Sequence, residues 1–394
     1  MTAYQTYKTA FSGRKMPFAY VDMDLFDQNI THIMARSGDK RVRIASKSVR
    51  SVALLRYLLK ADSRIMGVMC YTTHEAVYLA SQGFDDLLVA YPCFHPDDIR
   101  ATFSAIRAGK TITLMVDCAE HVAHIQQLAQ EADVTVPVCL DIDLSVDFGR
   151  LHFGVWRSGV MAVDDALRVF AIIQKSPNVR LDGVMGYEAQ IAGVGDVGDG
   201  AKSALIRWMK RRSIPKIAKR RADIVLALVG RGAVLRFVNG GGTGSLESTA
   251  QEACVTEVTA GSGFYSPALF DHYAGFKHLP AAGFALEIVR QPKIGMYTCL
   301  GGGYIASGGV GKVKAPLPYL PEGATLTDLE GAGEVQTPIV YHGNEVLGLG
   351  DPVFLRHSKA GELCEHFMAL LLVRGGKVVD EVTTYRGDGM CFLG

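Results

Sequence analysis

The sequence predicts an α/β protein: a (β/α)8 barrel of the TIM type followed by an antiparallel β domain. Three observations carry this. Eight short apolar runs alternate with helix-like segments between residues 41 and 262. The runs are almost continuously apolar, as strands covered on both faces must be. After about residue 275 the rhythm breaks into Gly- and Pro-punctuated strands without intervening helices.

In order, the barrel runs are RVRIASK (41–47), RIMGVMCY (64–71), DLLVAYP (86–92), TLMVDC (113–118), PVCLDIDL (137–144), LDGVMGY (181–187), VLRFVNG (234–240) and TEVTAGS (256–262). Helical patterns such as SVALLRYLLKAD and CAEHVAHIQQLAQEAD lie between them. Before them, FAYVDMDLFDQNI (18–30) reads as a leading strand ending in a helix N-cap at Asp24. The expected domains are an N-terminal segment, 1–17, packing on the β domain; the barrel, 18–275; and the β domain, 276–394. Within the last, RGGK joins two β-type runs and reads as a hairpin turn.

Composition narrows the function classes. The chain has 394 residues, 48% hydrophobic and 21% charged, with a net charge of +1. That balance gives no electrostatic case for nucleic acid or an anionic membrane. The basic stretch 201–230 reads as a solvated face of helices between barrel strands seven and eight, interrupted at Pro215. No apolar run reaches bilayer-spanning length, and MTAYQTYKTAFSGRK lacks a signal-peptide core, so a cytoplasmic protein is expected. The eight cysteines form no CxxC and sit mostly in apolar runs, as reduced packing residues do.

In such a barrel the C-terminal strand ends carry the chemistry. Lys47 ends the first strand. Side chains alternate along a strand, so Arg43 and Lys47 turn inward while Val42 and Ile44 face the helices. Desolvation and the nearby arginine would favour the free amine of Lys47, the form that attacks a carbonyl. By the same alternation Cys139, Asp141 and Asp143 face inward, and Arg43 is the expected partner of Asp141. Strand seven runs into NGGGTGS and strand eight into GSGFY. Glycine turns there present backbone N–H groups to a phosphate. A lysine opposite a phosphate cup implies pyridoxal 5′-phosphate (PLP).

The motifs VDMD, RIASKS, YEAQIAG, NGGGTG and TAGSGFY resemble PLP enzymes of the alanine racemase-like fold, and more closely the D-threonine aldolase and D-serine dehydratase group. LGGGYIASG, GAGEVQTP and RHSKAGELCEHF are similar to its amino acid deaminase/aldolase branch. The resemblance implies a homodimer with shared active sites. It implies that Lys47 forms the Schiff base, and that Gly241, Gly242, Thr243, Gly261, Ser262 and Gly263 hold the phosphate. It places Tyr187 beside the cofactor, or alternatively in the core. The pyridine nitrogen would meet His152 or Arg150. Relatives of this kind bind a divalent metal in the β domain. Here the matching stretch is Arg356-His357-Ser358-Lys359, so either His357 and Glu362 hold the metal or the Lys359 ammonium replaces it. Glu334, Gln336 and His342 are further polar candidates.

The expected activity is retro-aldol cleavage of a β-hydroxy-α-amino acid of D configuration, with His357 taking the β-hydroxyl proton. Dehydration to a 2-oxo acid and ammonia, racemisation, and non-catalytic PLP carriage are the alternatives. A carrier would be a bare barrel, which the 276–394 segment argues against.

Overall fold

The computed structural model describes residues 1–309 and 311–393. The chain divides into two compact units, neither continuous in sequence.

One unit comprises Ile33–Lys47, Arg56–Gly261 and Phe392–Gly394. It contains a closed, parallel barrel of eight strands: Arg41–Ala45, Ile65–Cys70, Leu87–Val89, Ile112–Val116, Val136–Ile142, Val179–Gly186, Phe237–Gly240 and Glu257–Ala260. These are the eight apolar runs of the sequence. Leu88, Ala90, Met115, Cys139, Met185 and Phe237 form a buried core cluster, with Met69 packed against it. Cys139 is therefore a packing residue.

Arg43 does not pair with Asp141. Its guanidinium is fully buried and bonds both Glu257 oxygens, at 2.7 and 3.0 Å, and the Asp86 carboxylate at 3.1 Å. Asp86 also takes Arg236, which pairs in turn with Asp182. Asp86 and Arg236 immediately precede their strands, so this ion network belongs to the N-terminal end of the barrel, where structural residues collect. Gly67 makes room for it: at φ +70, a Cβ there would collide with the Arg43 guanidinium.

The basic stretch is one helix, Ala201–Gly230, and it lies between the sixth and seventh barrel strands rather than the seventh and eighth. Pro215 lies inside it without ending it. Burial at Met209, Ser213, Ile217, Arg221, Ile224 and Leu228 follows helical spacing and runs across the proline, so packing holds the helix together. Not all its cations are solvated: Arg221 is fully buried against Glu188 and Glu252, and Lys210 bonds Asp196 at 3.0 Å.

The other unit comprises Met1–His32, Ser48–Leu55 and Ser262–Cys391. Its core is a nine-stranded sheet. The run expected to lead the barrel is instead a strand of this sheet: Phe18–Asp22 pairs antiparallel with Ala282–Lys293 and parallel with Ala369–Arg374. Its residues 18–21 are all buried, so it needs neighbours on both edges and both faces. The helix Ala3–Ala10 packs Tyr4 and Tyr7 on Phe354, and Phe11 follows at 5.8 Å. The N-cap of the helix Met23–Arg36 is Asp22 rather than Asp24: its Oδ1 accepts from the backbone N–H groups of Asp24 and Leu25. RGGK is a two-residue turn pairing Arg374 with Lys377, with Gly375 and Gly376 both at positive φ. Among the described residues no helix is long and apolar enough to cross a membrane.

Candidate active site

The first barrel strand ends at Ala45, and a 3-10 turn, Ser46–Ser48, carries Lys47 beyond it. Lys47 is exposed rather than desolvated. Its Nζ donates to the Tyr91 hydroxyl at 3.3 Å and lies 5.8 Å from the Tyr91 ring. Tyr91 follows the third barrel strand. The Arg157 guanidinium lies 5.1 Å from the same ring and 5.9 Å from the Tyr187 ring. Arg157 also donates to Ala90 O at 2.9 Å and pairs with Asp141 at 2.9 Å.

This arrangement joins strand ends one, three, five and six. Asp141 is 1% exposed, and burial raises its pKa to about 7 despite the attraction of Arg157. The second inward carboxylate, Asp143, accepts from the backbone N–H groups of Ser145 and Arg157, at 2.7 and 3.2 Å. It fixes the loop that presents Arg157. Burial raises the Tyr91 phenol, but Lys47 and Arg157 outweigh burial and lower it overall. Burial and neighbouring Glu188 push Tyr187 up to about 12, so it stays protonated as a donor.

Arg157, rather than Arg150 or His152, is the cation that meets Lys47 around Tyr91. Arg150 is exposed beside the turn of the hairpin formed by Val146–Phe148 and Leu151–Phe153. The His152 Nδ1 lies 2.9 Å from Asp147, and its ring stacks on Trp156 at 3.9 Å. Sequence reasoning missed Tyr91 and Arg157. A signal for Arg157 existed: two inward carboxylates demand a cation, and Arg157 lies on the loop that follows them.

The glycine turn after the seventh strand is held from below. Gly241 has φ +83, and its N–H reaches Glu188 Oε2 at 3.3 Å. The Gly242 N–H donates to Ser245 Oγ at 3.1 Å, and Ser245 donates to Glu188 Oε1 at 2.9 Å. Thr249 and Arg221 complete the buried contacts of Glu188. A Cβ at Gly242 would stand 3.0 Å from the Tyr187 ring and 3.1 Å from Ala192 Cβ, so a side chain there would crowd both. Thr243 is buried beside it. After the eighth strand Gly261 closes the barrel unit; Ser262 and Gly263 open the short helix Ser262–Tyr265, where Ser262 Oγ lies 3.1 Å from Ser48 Oγ. An exposed strand-end amine, a phenol and a guanidinium around it, and a braced glycine turn fit an aldehyde-bearing, phosphorylated aromatic cofactor such as PLP.

The candidates of the other unit are dispersed. His357 is 3% exposed, with its ring 6.2 Å from that of Tyr265. Burial and neighbouring Arg356 push its pKa down to about 3. A histidine so enclosed does not present a base to substrate, contrary to the expectation from sequence; the all-buried strand Pro352–Arg356 delivers it into the interior. Glu362 Oε1 accepts from the N–H and hydroxyl of Ser307, and Lys359 reaches that hydroxyl at 3.5 Å. Glu334 and His342 are exposed, and Gln336 donates to Glu330. Among the described residues, one group of three metal-type donors gathers, and it contains neither His357 nor Glu362: Asp117, Cys118 and His121.

The fold and the strand-end lysine define a class, the alanine racemase-type barrel proteins. The family described as alanine racemase, N-terminal domain, matches residues 21–227, more than half of the chain, and the chain belongs to it. Among curated proteins it is similar to 3-hydroxy-D-aspartate aldolase of Paracoccus denitrificans, 26% identical over 249 residues, which are 62% of this chain and 59% of the relative. It is also similar to D-threonine aldolase of an Arthrobacter species, 25% identical over 255 residues, 62% of this chain and 60% of the relative. The matched region thus spans about three fifths of either relative's length. Among solved structures, D-threonine aldolase from Filomicrobium marinum superposes with a TM-score of 0.81 at 18% identity, covering 96% of both chains. D-threo-3-hydroxyaspartate dehydratase from Delftia sp. HT23 gives 0.75 at 19%, covering 94% of this chain and 98% of the other. At these identities the superpositions speak for the fold.

Proposed function

We propose that this protein is a PLP-dependent lyase that cleaves the Cα–Cβ bond of β-hydroxy-α-amino acids of D configuration, giving glycine and an aldehyde. The observation that carries this reading is the Lys47 amine hydrogen-bonded to Tyr91, with Arg157 on the same ring and anchored on buried Asp141. The names of the curated relatives, both D-amino acid aldolases, support the choice of reaction and configuration.

When bound through Lys47, PLP supplies an electron sink for the electron pair left on Cα. The chain's own residues do the rest. Lys47 Nζ donates to the Tyr91 hydroxyl across 3.3 Å, which places a phenol within reach of the amine as a proton-transfer partner. Arg157, held by Asp141 and Ala90, keeps a fixed positive charge beside that pair. The turn at Gly241–Thr243 lets backbone approach a phosphate closely.

The test mixes the protein with D-threonine and D-serine and assays aldehyde, 2-oxo acid and inverted amino acid, with and without a chelator. Aldehyde with glycine is expected. A 2-oxo acid with ammonia would move the assignment to dehydration, and an inverted product to racemisation. Lys47→Ala should lose the visible absorption of the lysine-bound cofactor. Absence of that absorption from the unaltered protein after PLP addition would sink the reading.

A further inference from the structure

We propose that Asp117, Cys118 and His121 form a binding site for a zinc-class divalent cation at the C-terminal end of the fourth barrel strand. Asp117 and Cys118 immediately follow the strand Ile112–Val116, and His121 lies in the first turn of the helix Ala119–Glu131. The strand-to-helix corner thus brings three donors together from five consecutive residues. One carboxylate oxygen, one sulfur and one imidazole nitrogen all lie within 4.8 Å of one another, and each residue is half-buried. Asp117 Oδ1 and His121 Nδ1 are 2.9 Å apart.

Oxygen, sulfur and nitrogen together are the donor set of a borderline cation, not of calcium or magnesium, which take oxygen. A tetrahedral zinc with bonds of about 2.0–2.3 Å places its ligands about 3.3–3.6 Å apart. The 2.9 Å between Asp117 and His121 and the 4.8 Å bound on all three donors bracket that range. A carboxylate, a thiolate and a neutral imidazole would balance the charge of the ion. Three protein ligands leave a fourth position for water or a small oxygen ligand, the pattern of an open rather than a purely structural site. The Phe94 ring lies 6.1 Å from that of His121 and stacks on His124 at 4.6 Å.

The site does not depend on the proposed reaction, and its test reads the metal directly. The full chain, stripped of metal and reloaded with one equivalent of Zn2+, is examined by zinc K-edge X-ray absorption. A single zinc–sulfur path at about 2.3 Å among nitrogen and oxygen ligands is expected. It should vanish in Cys118→Ala, and His121→Ala should weaken zinc binding at least about tenfold against a chromophoric chelator. Circular dichroism checks that both variants fold. A shell of nitrogen and oxygen alone, a zinc–sulfur path that survives Cys118→Ala, or unaltered affinity in folded His121→Ala would overturn the proposal. If Cys118→Ala does not fold, the unaltered protein's zinc shell and His121→Ala decide.

Discussion

Lys47, Tyr91, Arg157 and Asp141 form a chain in which each group sets the state of the next. The phenol of Tyr91 touches both cations, and their charges lower its pKa against the effect of burial. Tyr91→Phe should retain the cofactor's visible absorption yet lower turnover by about a hundredfold, the usual size of a lost proton-transfer partner. Turnover unchanged in that variant would show that Tyr91 only packs. Asp141 makes a different prediction. Its folded pKa, about 7, is above its ordinary 3.8, so the folded state binds the proton more tightly than the unfolded chain. The stability this contributes is fully present below about 3.8 and is lost as pH rises through about 7. Thermal unfolding followed across that window should fall more steeply with pH in the unaltered protein than in Asp141→Asn. Equal slopes would contradict the shift.

At the scale of elements, the glycine turn after the seventh strand depends on residues from elsewhere in the chain. Glu188 lies just past the sixth strand, and Arg221 reaches it from the helix Ala201–Gly230. Together they fix Gly241, Ser245 and, through Ser245, Gly242. Glu188→Ala leaves Arg221 with one carboxylate fewer and frees two turn contacts. PLP should then dissociate about ten- to a hundredfold more readily, the consequence of stripping buried hydrogen-bond partners worth about 1–3 kcal/mol. Equilibrium dialysis of the cofactor measures this without reference to activity. Affinity equal to that of the unaltered protein would mean that the turn holds its shape alone.

For the molecule as a whole, the consequential feature is that the sheet unit is assembled from three chain segments. Phe18–Asp22 fills the place between Ala282–Lys293 and Ala369–Arg374. A fragment of residues 276–394 would therefore expose two strand edges and the apolar surface that Tyr4, Tyr7 and Phe11 cover. That fragment should show no cooperative thermal unfolding by circular dichroism, in contrast to the full chain. A cooperatively folding 276–394 fragment would support the boundary read from the sequence.

The sequence by itself determined the eight barrel strands and the strand-end position of Lys47. It also determined the glycine turn after the seventh strand and the RGGK hairpin. These are local properties: apolar runs of strand length, alternation along a strand, and glycines where the chain must turn. What only the tertiary structure decided is which distant groups meet. Arg43 found Glu257 and Asp86 instead of Asp141, because it points into the network at the barrel's N-terminal end. Arg157 reached the Tyr91 ring, while Arg150 and His152 lie in the hairpin of Val146–Phe148 and Leu151–Phe153. FAYVD left the barrel for the other sheet, since an apolar run records only that it must be covered and not by which neighbours. His357 was drawn inward with its strand. Periodicity along a chain encodes which face is buried, while partners across space follow from closing the barrel and the sheet.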